Sequence, residues 1–147
     1  MGHSLASVHV HFVFSTKNRL PLLADDLQAD MFAYLGGIVR ELAGKPVMVG
    51  GIPDHVHMLA RMPAGMSISD FMRVVKTNSS RWARPRKRDF AWQTGFAAFS
   101  VSMSLLPQVT RYIREQEKHH RKMTFQEELV ALLKKHNIAY EERYIWS

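Results

Sequence analysis

The chain has 147 residues, 46% of them hydrophobic and 22% charged, which suits one compact domain able to bury a core without staples. It has no cysteine, so disulfides, thiolate metal sites and cysteine nucleophiles are excluded. A net charge of +7 and a pI near 10.0 favour an anionic partner, nucleic acid above all. No apolar run reaches the roughly 18 residues of a membrane span. The first residues show no basic segment followed by an apolar one, so no signal peptide is evident and a cytoplasmic protein is expected.

From Ser7 to Thr16, Val8, Val10, Phe12 and Phe14 alternate with other residues, which predicts a strand. Lys17-Asn18-Arg19 and Pro21 break it. Asp25 to Leu42 places Leu27, Met31, Tyr34, Leu35, Ile38, Val39 and Leu42 at helical spacing, and Gly44 and Pro46 end that helix. Pro46 to Ile52 is a short second strand, with Gly50-Gly51 a candidate bulge. Pro53-Asp54 signals a turn, and His55 to Met62 reads as the third strand of an antiparallel hairpin. Ser67 caps a second helix running to about Arg84, with Ile68, Phe71, Met72, Val75 and Trp82 as its inward residues. Arg84 to Gly95 reads as an exposed basic loop, and Phe96 to Met103 as a fourth strand. Ser104 is a candidate cap for a third helix to about Lys122. Thr124-Phe125-Gln126-Glu127 is a capping-box pattern for a helix reaching about His136, with Asn137 as its stop. Tyr144-Ile145-Trp146 could pack as a last strand or an apolar clasp. The order predicts an α+β fold of the ferredoxin-like or RNA-recognition-motif type. Its antiparallel sheet carries helices on one face, C-terminal helices follow, and residues 1–147 form a single domain.

The candidate chemistry begins at His55-Val56-His57. On a strand both imidazoles point to one face and Val56 to the other, so the pair can chelate a metal. His9-Val10-His11 has the same spacing. For it, a polar sheet face or a DNA contact is the preferred reading. His119 and His120 are adjacent on a helix, about 100° apart, and read as a solvated basic face. Tyr112 and Gln116 share a helical face. A divalent ion held by two imidazoles and an amide oxygen would leave positions open for phosphate oxygens and act on them as a Lewis acid. A nearby cation, with Arg111, Arg114 or Lys118, would stabilise a Tyr112 phenolate. Attack on a phosphodiester would then store the bond energy as a phosphotyrosine. The plain alternative for Tyr112 is a packed helical aromatic.

Arg81, Arg84, Arg86, Lys87 and Arg88 form a run without an acid, with Trp82 inside it and Trp92 just after. Basic groups mixed with flat aromatics suit single-stranded nucleic acid, although both tryptophans could equally be core anchors. The candidate DNA contacts are Lys17, Arg19, Lys76, Arg81, Arg84, Arg86, Lys87, Arg88, Trp92 and Arg111.

Several segments together carry a family resemblance: Phe-Ser-Thr-Lys-Asn-Arg at 14–19, Pro-Asp-His-Val-His at 53–57, Ser-Ile-Ser-Asp-Phe at 67–71, Ala-Phe-Ser-Val-Ser at 98–102, the stretch from Tyr112 to Lys122, Thr-Phe-Gln-Glu-Glu at 124–128 and Glu-Arg-Tyr-Ile-Trp at 142–146. With them the chain resembles the single-tyrosine transposases of the HUH endonuclease superfamily, insertion sequence 200/605 group. The resemblance implies His55, His57 and Gln116 as ligands of Mg2+ or Mn2+, and Tyr112 as the nucleophile that becomes linked to a DNA 5′ phosphate. It also implies single-stranded DNA with hairpin ends as substrate, a homodimer, and no need for ATP or a membrane. Gly95-Phe96-Ala97-Ala98-Phe99 departs from the family pattern, where a tyrosine and a second glycine are expected. Three other readings stand beside it: a domesticated endonuclease acting on repeats, a non-catalytic RNA- or DNA-binding module, and a nuclease that uses water.

Overall fold

A computed structural model describes residues 5–24 and 26–142. It consists of one four-stranded sheet of order β2-β3-β1-β4. The strands are β1 (His9–Ser15), β2 (Lys45–Ile52), β3 (His55–Arg61) and β4 (Ala97–Val101), and every pairing is antiparallel. The helices are α1 (Asp26–Glu41), α2 (Ile68–Ala83), α3 (Leu106–Arg114), α4 (Gln116–His119) and α5 (Phe125–Lys135). The fold is the expected α+β arrangement. Asp25 and the Tyr144-Ile145-Trp146 clasp lie outside the described residues. Among the described residues, no helix is long and apolar enough to cross a membrane.

Strand alternation gives the sheet two different faces. Val10, Phe12 and Phe14 of β1 and Val56, Met58 and Ala60 of β3 point to one side, where they meet Met31, Leu35, Ile38 and Val39 of α1 and Phe71, Met72 and Val75 of α2. His9, His11 and Val13 of β1 and His55 and His57 of β3 have the opposite parity and lie on the other side. The C-terminal helices cover that second face. Phe125, Leu129 and Leu133 of α5 close over Val13 and Phe99, while α3 lies along β2. The sheet is therefore covered on both faces, not one.

Local chemistry explains most element ends. Ser67 accepts a hydrogen bond from the Asp70 backbone N–H at 3.1 Å and caps α2. Thr124 and Glu127 form the full capping box of α5. Asn137 ends α5 in the left-handed conformation (φ 56°), with Ile138 N–H bonding back to the Leu133 carbonyl. The α1 stop differs from expectation. Ala43, not Gly44, takes the left-handed position (φ 67°), and Gly44 N–H closes the motif on Val39. Gly44 is needed for space, since a Cβ there would sit 2.8 Å from the Arg61 carbonyl oxygen.

Other departures have physical causes. The irregularity in β2 falls between Pro46 and Met48, not at Gly50-Gly51, because proline has no N–H for the ladder. Ile68 opens α2 and is exposed, so it does not face inward. Ser104 is not a cap: Met103–Leu105 is a 3-10 turn, and the Ser102 and Ser104 hydroxyls bond each other at 3.0 Å. The long third helix is broken at Glu115 (φ −95°, ψ 23°) and ends at His119, three residues before Lys122. The 84–95 loop is anchored, not free. Phe90 is buried, Lys17 N–H bonds Ala91 O, and Gln93 N–H bonds Ser15 O.

Candidate active site

The hairpin delivers His55 and His57 to the second face of the sheet, where neither is exposed to solvent (0% each). Gly50 stands opposite His57 on β2, and a Cβ there would meet the Ile113 carbonyl oxygen at 2.7 Å. That close approach lays α3 across the sheet and brings Tyr112 to the histidines, its ring centroid 5.7 Å from that of His57. Beyond the break, Gln116 is buried and its Oε1 accepts from His55 Nε2 at 3.0 Å. Tyr112 and Gln116 thus converge on one place, though from two helices and not one.

The centre of that place is Glu128, which the spacing of the sequence does not single out. It is 2% exposed. One carboxylate oxygen, Oε1, lies 2.9 Å from His57 Nε2, 3.3 Å from His55 Nε2 and 3.1 Å from His120 Nε2. The other, Oε2, accepts the Tyr112 hydroxyl and the Gln116 amide N–H. His120 is no solvated group. Its Nδ1 faces the Met123 carbonyl at 2.8 Å, and its Nε2 also meets Gln116 Oε1 at 3.1 Å. The His119 ring lies tilted against Tyr112 with centroids 4.7 Å apart, and its buried Nε2 has no hydrogen-bond partner among the described residues. His11 is likewise part of the site: its Nε2 is 2.7 Å from His57 Nδ1.

Burial and charge set the protonation states. Burial works against a charged His55, but hydrogen bonds to Asp54 and Glu128 outweigh it and raise its pKa to about 9. Burial pushes His57 down, and pushes His11 down to about 3, so both are neutral at physiological pH. Burial alone would raise Glu128, yet the hydrogen bonds from His55 and His57 hold it well below the usual carboxylate range. Burial, then the Glu128 charge, raises the Tyr112 phenol above its ordinary value.

The donor set suits a divalent metal. One ligand atom from each of His55, His57 and Glu128 lies within 4.8 Å of the others, and all three side chains are buried. Gln116 Oε1 adds a fourth donor beside them. Asp54 backs His55, its Oδ1 2.7 Å from Nδ1, the usual outer partner of a metal-binding imidazole. Mixed imidazole and carboxylate donors form a set that divalent first-row ions accept.

The candidate DNA contacts are spread apart. Arg81, Arg84, Arg86, Lys87 and Arg88 are exposed, but Arg81 lies on the last turn of α2 and the others follow it, and α2 packs on the sheet face opposite the histidines. Arg86 lies 4.2 Å from the Trp82 ring centroid, and that ring stacks on Tyr34. Trp92 is an anchor: its Nε1 donates to Ser79 Oγ at 2.9 Å and its ring packs on Phe14 and Phe90. Lys76 donates to the Gln93 and Gly95 carbonyls, both at 2.6 Å, and so ties down a loop. The Lys17–Arg19 turn sits at the same end of the sheet as His55, beside Asp54, whose carbonyl bonds Thr16 N–H. Arg111 is exposed, one residue before Tyr112.

A family model described as "Transposase IS200 like" matches residues 4–116. The ISDra2 transposase TnpA of Deinococcus radiodurans is 24% identical over 114 residues, which cover 72% of this chain and 81% of that protein. Two solved structures share the fold. A Deinococcus radiodurans crystal structure described as a transposase has a TM-score of 0.61 at 23% identity, covering 79% of this chain and 96% of that one. A REP-associated tyrosine transposase bound to a REP hairpin has a TM-score of 0.61 at 18% identity, covering 82% and 72%.

Proposed function

This chain belongs to the IS200-like transposase family, and from that premise we propose that it cuts and rejoins single-stranded DNA through a tyrosine-linked intermediate, mobilising an insertion sequence. The observation that carries the proposal is convergence: the Tyr112 hydroxyl and the metal-type donors of β3, α4 and α5 all meet at Glu128.

In the proposed reaction the Tyr112 oxygen attacks a phosphodiester phosphorus. A P–O bond to tyrosine forms, and the bond to the 3′ oxygen breaks. Glu128 Oε2, already the hydrogen-bond acceptor of the phenol, takes its proton while the leaving 3′ oxygen takes one from water, and both transfers run backwards when the 3′ hydroxyl reverses the step. No bond energy is lost to water, so no ATP is required. His55, His57, Gln116 and Glu128 would hold the divalent ion, Mg2+ or Mn2+. When bound, the ion supplies Lewis-acid polarisation of the scissile phosphate. The substrate is single-stranded DNA with hairpin ends, the working form is a homodimer, and the setting is the cytoplasm. The family match supports the substrate, and a solved structure of the same fold is bound to a REP hairpin. A non-catalytic module reading the open sheet face, as RNA-binding sheets do, fits less well, because α3, α4 and α5 cover that face.

The test is covalent capture. Labelled single-stranded DNA from the flanks of the gene, incubated with Mn2+, is expected to give a protein–DNA adduct that Tyr112→Phe abolishes. An adduct that survives that substitution removes Tyr112 as nucleophile. Cleavage without any adduct would assign a water-using nuclease instead.

A further inference from the structure

The hydrogen bond between His11 and His57 takes no part in the chemistry above. His57 Nε2 lies 2.9 Å from Glu128 Oε1, and His57 Nδ1 lies 2.7 Å from His11 Nε2. Val13 pairs with His57 in the sheet, so His11 is its diagonal neighbour on the same face, and both rings are buried. A carboxylate can only accept. With Glu128 alone in front of it, His57 therefore carries its hydrogen on Nε2, and its bare Nδ1 needs a donor. His11 Nε2–H is that donor.

A metal ion reverses the requirement. The ion takes the Nε2 lone pair, the ring hydrogen must sit on Nδ1, and His11 must accept. We propose that His11 is a positioning residue for metal binding, an imidazole that reverses the direction of its hydrogen bond to His57 when the ion enters. The proposal rests on the metal reading of the site. The protons balance. One leaves His57 Nε2 for water, the His11 Nε2 proton crosses to His57 Nδ1, and His11 Nδ1 takes one from water. Neither ring becomes charged. An ionised carboxylate could only accept and a lysine ammonium could only donate, which is why a neutral imidazole suits the position.

His55 makes the contrast. Its Nδ1 faces Asp54 Oδ1 at 2.7 Å, an acceptor in either state, so His55 keeps Nδ1–H throughout. One imidazole of the pair is backed by a fixed partner and the other by a reversible one. The two His-x-His pairs of the chain are then coupled, with His11 of the first serving His57 of the second.

The experiment uses the full chain and Zn2+ as a diamagnetic probe. Nitrogen-15 imidazole spectra are expected to show His57 moving from the Nε2–H to the Nδ1–H tautomer on titration, with His11 changing in the same direction. Calorimetric affinity should fall about 10- to 100-fold in His11→Leu. It should stay within about threefold in His11→Gln, whose amide can turn to donate or accept. Metal binding with unchanged tautomers, or a His11→Leu chain that binds as tightly as the unaltered one, overturns the inference while the metal site stands. If His11→Leu does not fold, the spectra of the unaltered chain and the His11→Gln affinity decide alone. Failure of the unaltered chain to bind any Zn2+ overturns the metal reading and this inference with it.

Discussion

Glu128 shows how one residue can organise a site and escape notice in a sequence. His55 and His57 were legible because strand alternation guarantees that residues two apart share a face. Glu128 lies 71 residues from His57, and no spacing rule connects them. A signal was nevertheless present. Phe125, Leu129 and Leu133 form the inward stripe of α5, and Glu128 falls on that stripe, an acid at a core position beside the capping-box Glu127. Buried charges are kept when paired, so an acid on an apolar stripe points to partners elsewhere. Removing it leaves the Tyr112, Gln116, His57 and His120 side chains without their shared acceptor. Glu128→Ala should destabilise the metal-free protein by about 3 kcal/mol in urea denaturation. It should also weaken Mn2+ binding at least tenfold, whereas Tyr112→Phe leaves Mn2+ binding nearly unchanged. An unchanged urea midpoint in Glu128→Ala would show that the carboxylate is not the hub of this cluster.

At the level of elements, the site depends on how closely α3 approaches β2. Gly50 allows it, because any side chain would strike the Ile113 backbone. Gly50→Ala should therefore shift the helix carrying Tyr112 and slow adduct formation by ten- to a hundredfold, with circular dichroism unchanged. The break at Glu115 was not legible, since no glycine or proline marks it. It coincides with Gln116 turning into the site to bond His55 and Glu128, so tertiary hydrogen bonds override helix propensity there. Lys76 offers a pH test away from the histidine cluster. Burial lowers its pKa to about 8 from 10.5. The unfolded chain therefore binds more protons than the folded one between those values, and the lysine's contribution to stability rises with pH across that window. Chemical denaturation of the unaltered chain and of Lys76→Met, compared from pH 7.5 to 10, should show the difference moving in favour of the unaltered chain.

For the whole molecule, the +7 charge indicated the partner class but not the path of the DNA. The basic run at 81–88 looked like the obvious contact, yet it lies across the sheet from Tyr112, whereas the Lys17–Arg19 turn shares the His55 end. Replacing Lys17 and Arg19 with alanine should therefore weaken binding of short single strands more than replacing Arg81 and Arg84. It should also flatten the salt dependence by about 0.7 per lost phosphate contact. Equal effects would imply a strand that wraps around the domain. The fold itself was largely legible, because alternation and helical period are local signals. What sequence could not show was that the C-terminal helices close the second face, since that needs contacts between Val13 and residues more than a hundred positions later.

The two-faced strands β1 and β3 have one further consequence. Each is two interleaved texts written in alternate letters, one spelling the core through Phe12, Phe14, Val56 and Met58, the other spelling the site through His11, His55 and His57. A slip of a single letter would exchange the texts, placing imidazoles in the oil and valine before the carboxylate. The histidine cluster therefore cannot drift along its strands while the domain stays folded. Variation is free to act on the loops and helices outside these strands, while the phase of the two strands is fixed by the need to fold at all.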